Sequence, residues 1–211
     1  MTRTIVIAVL LGAGLLAASP GCSEQGVGDP CTPEQEYNAD FNGFNVKEVN
    51  IESKSFQCRT RVCLVNHFQG RVSCPYGQNT DGSPASGEGY TVPGSTKPVG
   101  CIIPGSDVPI TGNQNDPNTL AAVSPQCLDR TADRAVYCSC RCADINGNKP
   151  SDENFCKCPD GFTCTPLVTS IGVGNEGLTG SYCVKSGTDY VASTACNTGF
   201  CDESSAIAQC Q

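Results

Sequence analysis

The feature that most constrains the fold of this 211-residue chain is its 17 cysteines. Large apolar side chains are scarce, because Leu, Ile, Val and Phe make up less than a fifth of the residues after Gly21 and there is no Trp. A core this small buries too little apolar surface to offset the conformational entropy of the chain. Crosslinks restrict the unfolded chain, and each contributes about 2–4 kcal/mol to stability. The composition therefore predicts a disulfide scaffold.

The predicted fold is small, disulfide-rich and mainly β, with long loops, one or two short helices and about eight disulfides. Sixteen cysteines allow about two million pairings, so the sequence does not select one of them. Disulfides persist in oxidising compartments, which predicts export from the cytoplasm. The predicted disulfide cysteines are Cys31, Cys58, Cys63, Cys74, Cys101, Cys127, Cys138, Cys140, Cys142, Cys156, Cys158, Cys164, Cys183, Cys196, Cys201 and Cys210.

The N-terminal segment predicts an export signal. Arg3 supplies a positive charge, and residues 5–18 form a run of apolar and small residues that is too short to span a bilayer. No later segment is apolar enough for a membrane span, which needs about 18 or more apolar residues. We therefore expect residues 1–21 to be a signal peptide.

The end of this segment is Ser19-Pro20-Gly21-Cys22. The segment resembles a bacterial lipoprotein signal, in which a lipobox precedes a cysteine that carries diacylglycerol. Gly21 and Cys22 match that pattern, whereas Ser19 and Pro20 depart from it. The resemblance covers residues 1–22 and implies that lipid on Cys22 anchors the protein to a membrane.

The residue after the lipidated cysteine sets the destination in that family. Here it is the uncharged Ser23, which implies sorting to the outer membrane or the cell surface. Lipid on Cys22 would also leave an even number of cysteines for disulfides. The alternative is ordinary cleavage, which would leave a soluble secreted or periplasmic protein.

Composition divides the mature chain into three parts. Residues 22–30 contain Gly, Pro and polar side chains and are predicted to be a lipid-anchored tether. Residues 31–126 form a β-rich N-terminal region with a Gly, Pro and Ser loop at 75–100, and residues 127–211 form a cysteine-dense C-terminal region. The two regions are compatible with a single cross-linked unit.

Local patterns predict a few short elements. β-Branched and aromatic residues favour two or three strands within 44–71 and short strands at 101–103 and 181–185. An Asp-Pro pair is typical of a helix start and predicts a helix of about two turns at 116–123. Residues 128–135 are predicted to contain another helical turn.

The densest cysteine run is Cys138-Ser139-Cys140-Arg141-Cys142. If it forms one strand, the three cysteine side chains share a face. The Cα atoms of neighbouring cysteines would be about 6.6 Å apart, at the edge of disulfide geometry. We therefore expect each cysteine to pair with a separate segment, which would make this run a hub of crosslinks.

Residues 156–164 are similar to the end of an EGF-like domain, because C-x-C is followed by Gly161-Phe162 and a last cysteine. The resemblance covers about 30 residues. The interpretation that we favour is convergence of a small disulfide hairpin.

Metal and cofactor sites are not predicted. Zinc sites usually contain C-x2-C pairs and histidines, whereas this chain has no C-x2-C pair and a single histidine, His67. Residues 144–148 resemble the start of an EF-hand loop, but Lys149 stands at the Gly position and Phe155 at the Glu position. We expect a polar turn there, with a calcium site of another type near Asp152 and Glu153 as the alternative.

The functional expectation is a non-catalytic structural, adhesive or binding module. The chain has no G-x-S-x-G motif, and His67 has no identifiable triad partners. The net charge of −8 argues against nucleic acid and against anionic membrane faces as partners. The partner, a protein or a polysaccharide, is left open. The alternatives are an enzyme with a carboxylate or metal site assembled in three dimensions, and a calcium-dependent binding module.

Overall fold

The computed structural model describes residues 26–85, 90–91, 93, 98–111, 121–150, 155–168 and 178–196. Several predicted features lie outside these ranges: the signal peptide, Cys22, Asp152, Glu153, Cys201 and Cys210.

The regular structure of the described residues consists of short strands and single helical turns. The strands are β1 (Val49–Glu52), β2 (Val62–Asn66), β3 (Tyr90–Thr91), β4 (Pro98–Val99), β5 (Val136–Ser139), β6 (Arg141–Ala143), β7 (Phe162–Val168) and β8 (Gly180–Lys185). The helical turns are the 3₁₀ segments η1 (Glu34–Tyr37) and η2 (Leu128–Arg130) and the α-helical turn α1 (Ala132–Ala135).

The first sheet is antiparallel, with the strand order β1-β2-β5. Side chains alternate across the central strand, because successive residues of a strand point to opposite faces. Cys63 and Val65 pack into a cluster with Phe44 and Phe68, whereas Leu64 packs on the other face with Tyr137. The sheet is therefore buried on both sides at β2.

The second sheet has the order β6-β8-β7 and is also antiparallel. A single residue, Cys140, separates β5 from β6, so the chain passes from one sheet directly into the other. The hydroxyl of Ser139 donates to the carbonyl of Cys183 at 2.8 Å, and Lys185 N donates to the hydroxyl of Tyr137 at 2.9 Å. These bonds hold β8 against the end of the first sheet.

Seven disulfides join fourteen of the sixteen predicted cysteines. No two of Cys138, Cys140 and Cys142 pair with each other, but β5 ends at Ser139, so the three do not lie on one strand. The Cys58–Cys138 disulfide and the β2–β5 pairing connect the two regions into which composition divides the chain. The pairs are Cys31–Cys63, Cys58–Cys138, Cys74–Cys101, Cys127–Cys196, Cys140–Cys156, Cys142–Cys164 and Cys158–Cys183.

The fold class is confirmed: the chain is mainly β, with few short helices and a disulfide content close to the predicted one. The strands predicted within 44–71 and at 181–185 are β1, β2 and β8, and the helical turns predicted at 128–135 are η2 and α1. The strand predicted at 101–103 is wrong, because only Ile102 forms an isolated bridge, with Pro109.

The helix predicted at 116–123 is wrong over its described part, residues 121–123. Val123 and Gln78 exchange backbone hydrogen bonds of 2.7 and 2.8 Å. The side-chain amide of Gln78 also donates to the carbonyls of Ile110 and Ala121, at 3.1 and 3.0 Å. These contacts satisfy the backbone of the segment in an extended form. The remainder of the predicted helix lies outside the described residues.

The end of the predicted tether is part of the fold. Gly28 N donates to the carbonyl of Cys138, and Cys138 N donates to the carbonyl of Asp29, each at 2.8 Å. Pro30 forms a bridge with Tyr137. Residues 28–30 therefore cover the outer edge of β5 and are not a flexible linker.

A buried ionic cluster fastens η1 to the chain after β2. The carboxylate of Glu36 accepts hydrogen bonds from Val72 N at 2.6 Å and from Ser73 N at 2.9 Å. The guanidinium of Arg71 donates to the backbone carbonyls of Glu36 and Phe41. Burial raises the pKa of Glu36, whereas the hydrogen bonds from Ser73 and Val72 and the charge of Arg71 lower it. Sequence patterns gave no sign of this cluster, because charged residues are ordinarily exposed.

Candidate functional site

A groove of about 480 Å³ opens between η1 and the segment that joins β1 to β2. We call it the aromatic groove. It is lined by Thr32, Glu34, Tyr37, Glu52, Lys54, Ser55, Phe56, Gln57 and Arg61. None of these residues was predicted as a site, and Phe56, which the sequence places in a strand-rich region, lies outside both β1 and β2.

The loop that forms one wall of the groove, residues 53–61, is folded back on itself. Ser55 N donates to the carbonyl of Arg61 at 3.0 Å, and Arg61 N donates to the carbonyl of Cys58 at 2.9 Å. Arg61 has a φ of 65°, a left-handed conformation that costs about 1–2 kcal/mol for a residue with a Cβ atom. The β1–β2 pairing and the Cys58–Cys138 disulfide fix the loop and sustain this strain.

The second wall is tied to the first by side-chain hydrogen bonds. Gln57 accepts from Thr32 N at 3.0 Å and donates to the carbonyl of Thr32 at 2.8 Å. The carboxylate of Glu52 accepts from Glu34 N at 2.9 Å. Cys31, the residue before Thr32, is joined by a disulfide to Cys63 of β2. The groove is therefore preformed, with η1 held against the loop.

Two aromatic rings are displayed at the groove. Phe56 is 88% exposed and Tyr37 is 50% exposed. Burying a Phe side chain is worth roughly 1.5–3 kcal/mol, and this chain has few large apolar residues to spare. The guanidinium of Arg61 lies 4.3 Å from the centre of the Phe56 ring, an arrangement that orients the ring without covering it on both sides. The Phe56 ring is therefore accessible at the groove.

Ser55 lies at the floor of the groove. It is 1% exposed, and its hydroxyl has no hydrogen-bond partner in the part of the chain that the structure describes. A buried hydroxyl without a partner costs about 1–3 kcal/mol. A ligand in the groove could bond this hydroxyl, and so remove that cost, once the Ser55 side chain turns toward the groove, because the oxygen itself has almost no accessible surface.

The cysteines considered above as possible metal ligands form disulfides. Three groups of cysteine sulfur atoms lie within 4.8 Å, and every cysteine in these groups belongs to a disulfide. A disulfide sulfur carries no thiolate charge, and the thiolate is the form that binds metals. These groups therefore act as crosslinks.

The segment at 144–148 is a polar turn. One carboxylate oxygen of Asp144 accepts from Asn146 N at 2.8 Å and from Asn148 N at 2.7 Å. The other accepts from the side-chain amide of Asn148 at 3.2 Å. The carboxylate thus closes its own loop, which agrees with the turn expected from the sequence.

His67 is packed against an aromatic ring. Its imidazole stacks on Tyr190, with ring centres 3.7 Å apart and planes inclined by 5°, and Nδ1 lies 3.0 Å from the carbonyl oxygen of Val46. Burial lowers the pKa of His67, and the charge of Arg130 acts in the same direction, although the bond to Val46 opposes both. These contacts indicate that His67 has a packing role.

Arg130 is a residue whose importance the sequence did not indicate. It is buried and donates to three backbone carbonyls, those of His67 at 2.5 Å, Asn66 at 2.6 Å and Thr188 at 3.0 Å. It thereby joins the end of β2 to the turn after β8. Its position depends on contacts between distant segments, so no local pattern could reveal it.

Comparison with protein-family models, curated protein sequences and solved structures found no match to this chain. Among the described residues, no helix has the length and apolar character that crossing a membrane requires.

Proposed function

We propose that this protein is an exported, non-catalytic binding module that lipid on Cys22 holds at the outer membrane or cell surface and that recognises its partner through the aromatic groove. The observation that carries the proposal is the exposure of Phe56 beside the hydroxyl of Ser55, which has no hydrogen-bond partner among the described residues. Binding sites commonly combine an apolar surface with a few fixed polar groups.

Export has separate support in the crosslinks. Seven disulfides in the described residues indicate an extracellular or otherwise oxidising compartment. The anchor rests on the similarity of residues 1–22 to a lipoprotein signal. Thr32 lines the groove and is about ten residues from Cys22, so the groove would lie within roughly 35 Å of the lipid.

The anchor is tested by expressing the full chain in a two-membrane bacterium that is supplied with labelled palmitate. The unchanged chain should incorporate label and fractionate with membranes, whereas Cys22→Ser should do neither. Equal labelling and equal membrane partition of the two chains would refute the anchor.

The binding role is tested with the Cys22→Ser chain, purified after export and added to bacterial cells. Phe56→Ser should reduce its retention on cells about tenfold, because it removes the exposed ring. Val108→Ser removes another exposed apolar side chain, which does not line the groove, and should leave retention unchanged. Equal retention of all three proteins would contradict the proposal.

A further inference from the structure

The charges at the aromatic groove are balanced. Its lining contains two carboxylates, Glu34 and Glu52, and two cations, Lys54 and Arg61, although the whole chain has a net charge of −8. A site for a polyanion concentrates cations, and a site for a cationic ligand concentrates carboxylates. The groove does neither, so its charge pattern favours an uncharged ligand.

The groove combines polar groups with its aromatic rings. Lys54 and Glu34 are exposed and make no side-chain hydrogen bond within the described residues, so one is free to donate and the other to accept. The hydroxyl of Ser55 does both. A ligand that satisfies this set needs donors and acceptors around its rim as well as an apolar face for Phe56.

An apolar peptide side chain does not fit this requirement. It would cover Phe56 but would also take the exposed Lys54 and Glu34 side chains out of water without bonding them, and unpaired polar groups are costly to bury. An uncharged sugar ring has a C–H face that packs on an aromatic ring and hydroxyls around its edge that donate and accept.

We infer that the aromatic groove binds an uncharged polysaccharide, with one sugar ring stacked on Phe56 and its hydroxyls bonded to Ser55, Lys54 and Glu34. This inference rests on the proposed function, of which it names the ligand class. The groove volume of about 480 Å³ lies within the roughly 300–1,000 Å³ typical of ligand sites.

The test uses the exported, full mature chain with Cys22→Ser, in affinity gels that contain one polymer each. The neutral polymers are dextran, mannan, laminarin and hydroxyethylcellulose; alginate represents anionic polysaccharides and gelatin represents extended polypeptide. At least one neutral polymer should retard the protein. Phe56→Ser should weaken that retardation about tenfold, Phe56→Trp should preserve it, and Val108→Ser should leave it unchanged.

Ser55→Ala separates binding from folding. Removal of a buried hydroxyl that has no partner in the described ranges should leave the melting temperature unchanged or higher, yet should weaken binding to the neutral polymer several-fold. A loss of binding that accompanies an equal loss of stability would count against a direct contact with the ligand.

The outcomes distinguish the inference from the proposed function. Retardation by alginate or gelatin alone, or by none of the polymers, overturns the assignment of an uncharged polysaccharide while retention on cells through Phe56 still stands. Retention on cells that is insensitive to Phe56→Ser overturns the proposed function itself. Binding of a neutral polymer that is insensitive to both Phe56→Ser and Ser55→Ala places the sugar site elsewhere and also overturns the inference.

Discussion

The sulfur of Cys183 lies 3.6 Å from the sulfur of Cys140, although the two residues belong to different disulfides. The sulfur of Cys156 lies 3.7 Å from the same Cys183 atom. Disulfide exchange proceeds by attack of a thiolate on a neighbouring disulfide sulfur, so a thiolate at Cys183 would already be in contact with its target.

The variant Cys158→Ser should therefore redistribute its disulfides. The freed Cys183 thiolate attacks Cys140 or Cys156; a new S–S bond forms, the Cys140–Cys156 bond breaks, and the displaced sulfur leaves as a thiolate. After incubation at pH 8 and alkylation, peptide mapping should find label on Cys140, Cys156 and Cys183.

Cys101→Ser is the matched control. It frees Cys74, and in the described part of the chain no third cysteine sulfur lies within 4.8 Å of both members of that pair. Label should remain on Cys74 alone. If label in Cys158→Ser were likewise confined to Cys183, the contact with Cys140 would have no chemical consequence.

Glu36→Gln should lower the free energy of unfolding by about 1–3 kcal/mol. Both carboxylate oxygens of Glu36 accept from backbone N–H groups, those of Val72 and Ser73. A glutamine would turn its NH₂ group toward one of these donors and leave that N–H unsatisfied. Urea unfolding at pH 7 measures the change.

The exposed Glu48→Gln is the control and should change the free energy of unfolding by less than about 0.5 kcal/mol. Similar losses in both variants would show that the buried hydrogen bonds of Glu36 are not responsible.

Strands could be predicted from the sequence where apolar residues are dense. Val62-Cys63-Leu64-Val65 became β2, and the Tyr182-Cys183-Val184 segment became part of β8. In both, β-branched and aromatic residues fit the half-buried surface of a sheet. The helix expected at 116–123 failed over 121–123 because Gln78, more than forty residues away, bonds the backbone of Ala121 and Val123. Such a contact overrides local propensity.

The candidate site was not predictable, because each of its properties arises from folding. Phe56 has the sequence character of a core residue, and its exposure follows from the turn that returns Arg61 to Ser55. Ser55 has the character of a surface residue, and the same turn buries it. The prediction of lipid on Cys22 is the opposite case, since it rests on a linear motif alone.

Stability should fall as the pH is lowered from 7.5 to 5.5, in part because of His67. Burial against Tyr190 and the charge of Arg130 hold the pKa of His67 below its usual 6.5. The unfolded chain then binds a proton more readily than the folded protein, so the stabilising contribution is complete above pH 6.5 and is lost as the pH falls below it. His67→Asn suits the positive φ of 53° and lacks the titrating group. The melting temperature of this variant should depend less on pH in that window; an unchanged dependence would assign the effect to other groups.

Arg130→Lys should lower the free energy of unfolding by at least about 2 kcal/mol, because an ammonium group does not reproduce the planar fork that reaches three carbonyls. Urea unfolding measures this change as well. Arg134→Lys is the control, since Arg134 is exposed and its guanidinium bonds the carbonyl of Gly187 at 3.3 Å. A loss in Arg130→Lys no greater than that of the control would mean that the three carbonyls are satisfied without the guanidinium.

Alanine substitutions at Gly70 and Gly105 distinguish the energetic cost of backbone strain from the cost of a steric clash. Both have a positive φ, 83° and 71°, so alanine at either site incurs a left-handed strain of about 1–2 kcal/mol. A Cβ atom at Gly70 would also lie 2.2 Å from the carbonyl oxygen of Ser124, whereas no atom of the described residues lies within 4 Å of one at Gly105. Gly70 pairs with Phe44 through backbone hydrogen bonds of 2.8 and 3.0 Å, so it is not free to move away from Ser124. Gly70→Ala should therefore lower the melting temperature much more than Gly105→Ala does, and equal shifts in thermal unfolding would show that the chain around Ser124 yields without cost.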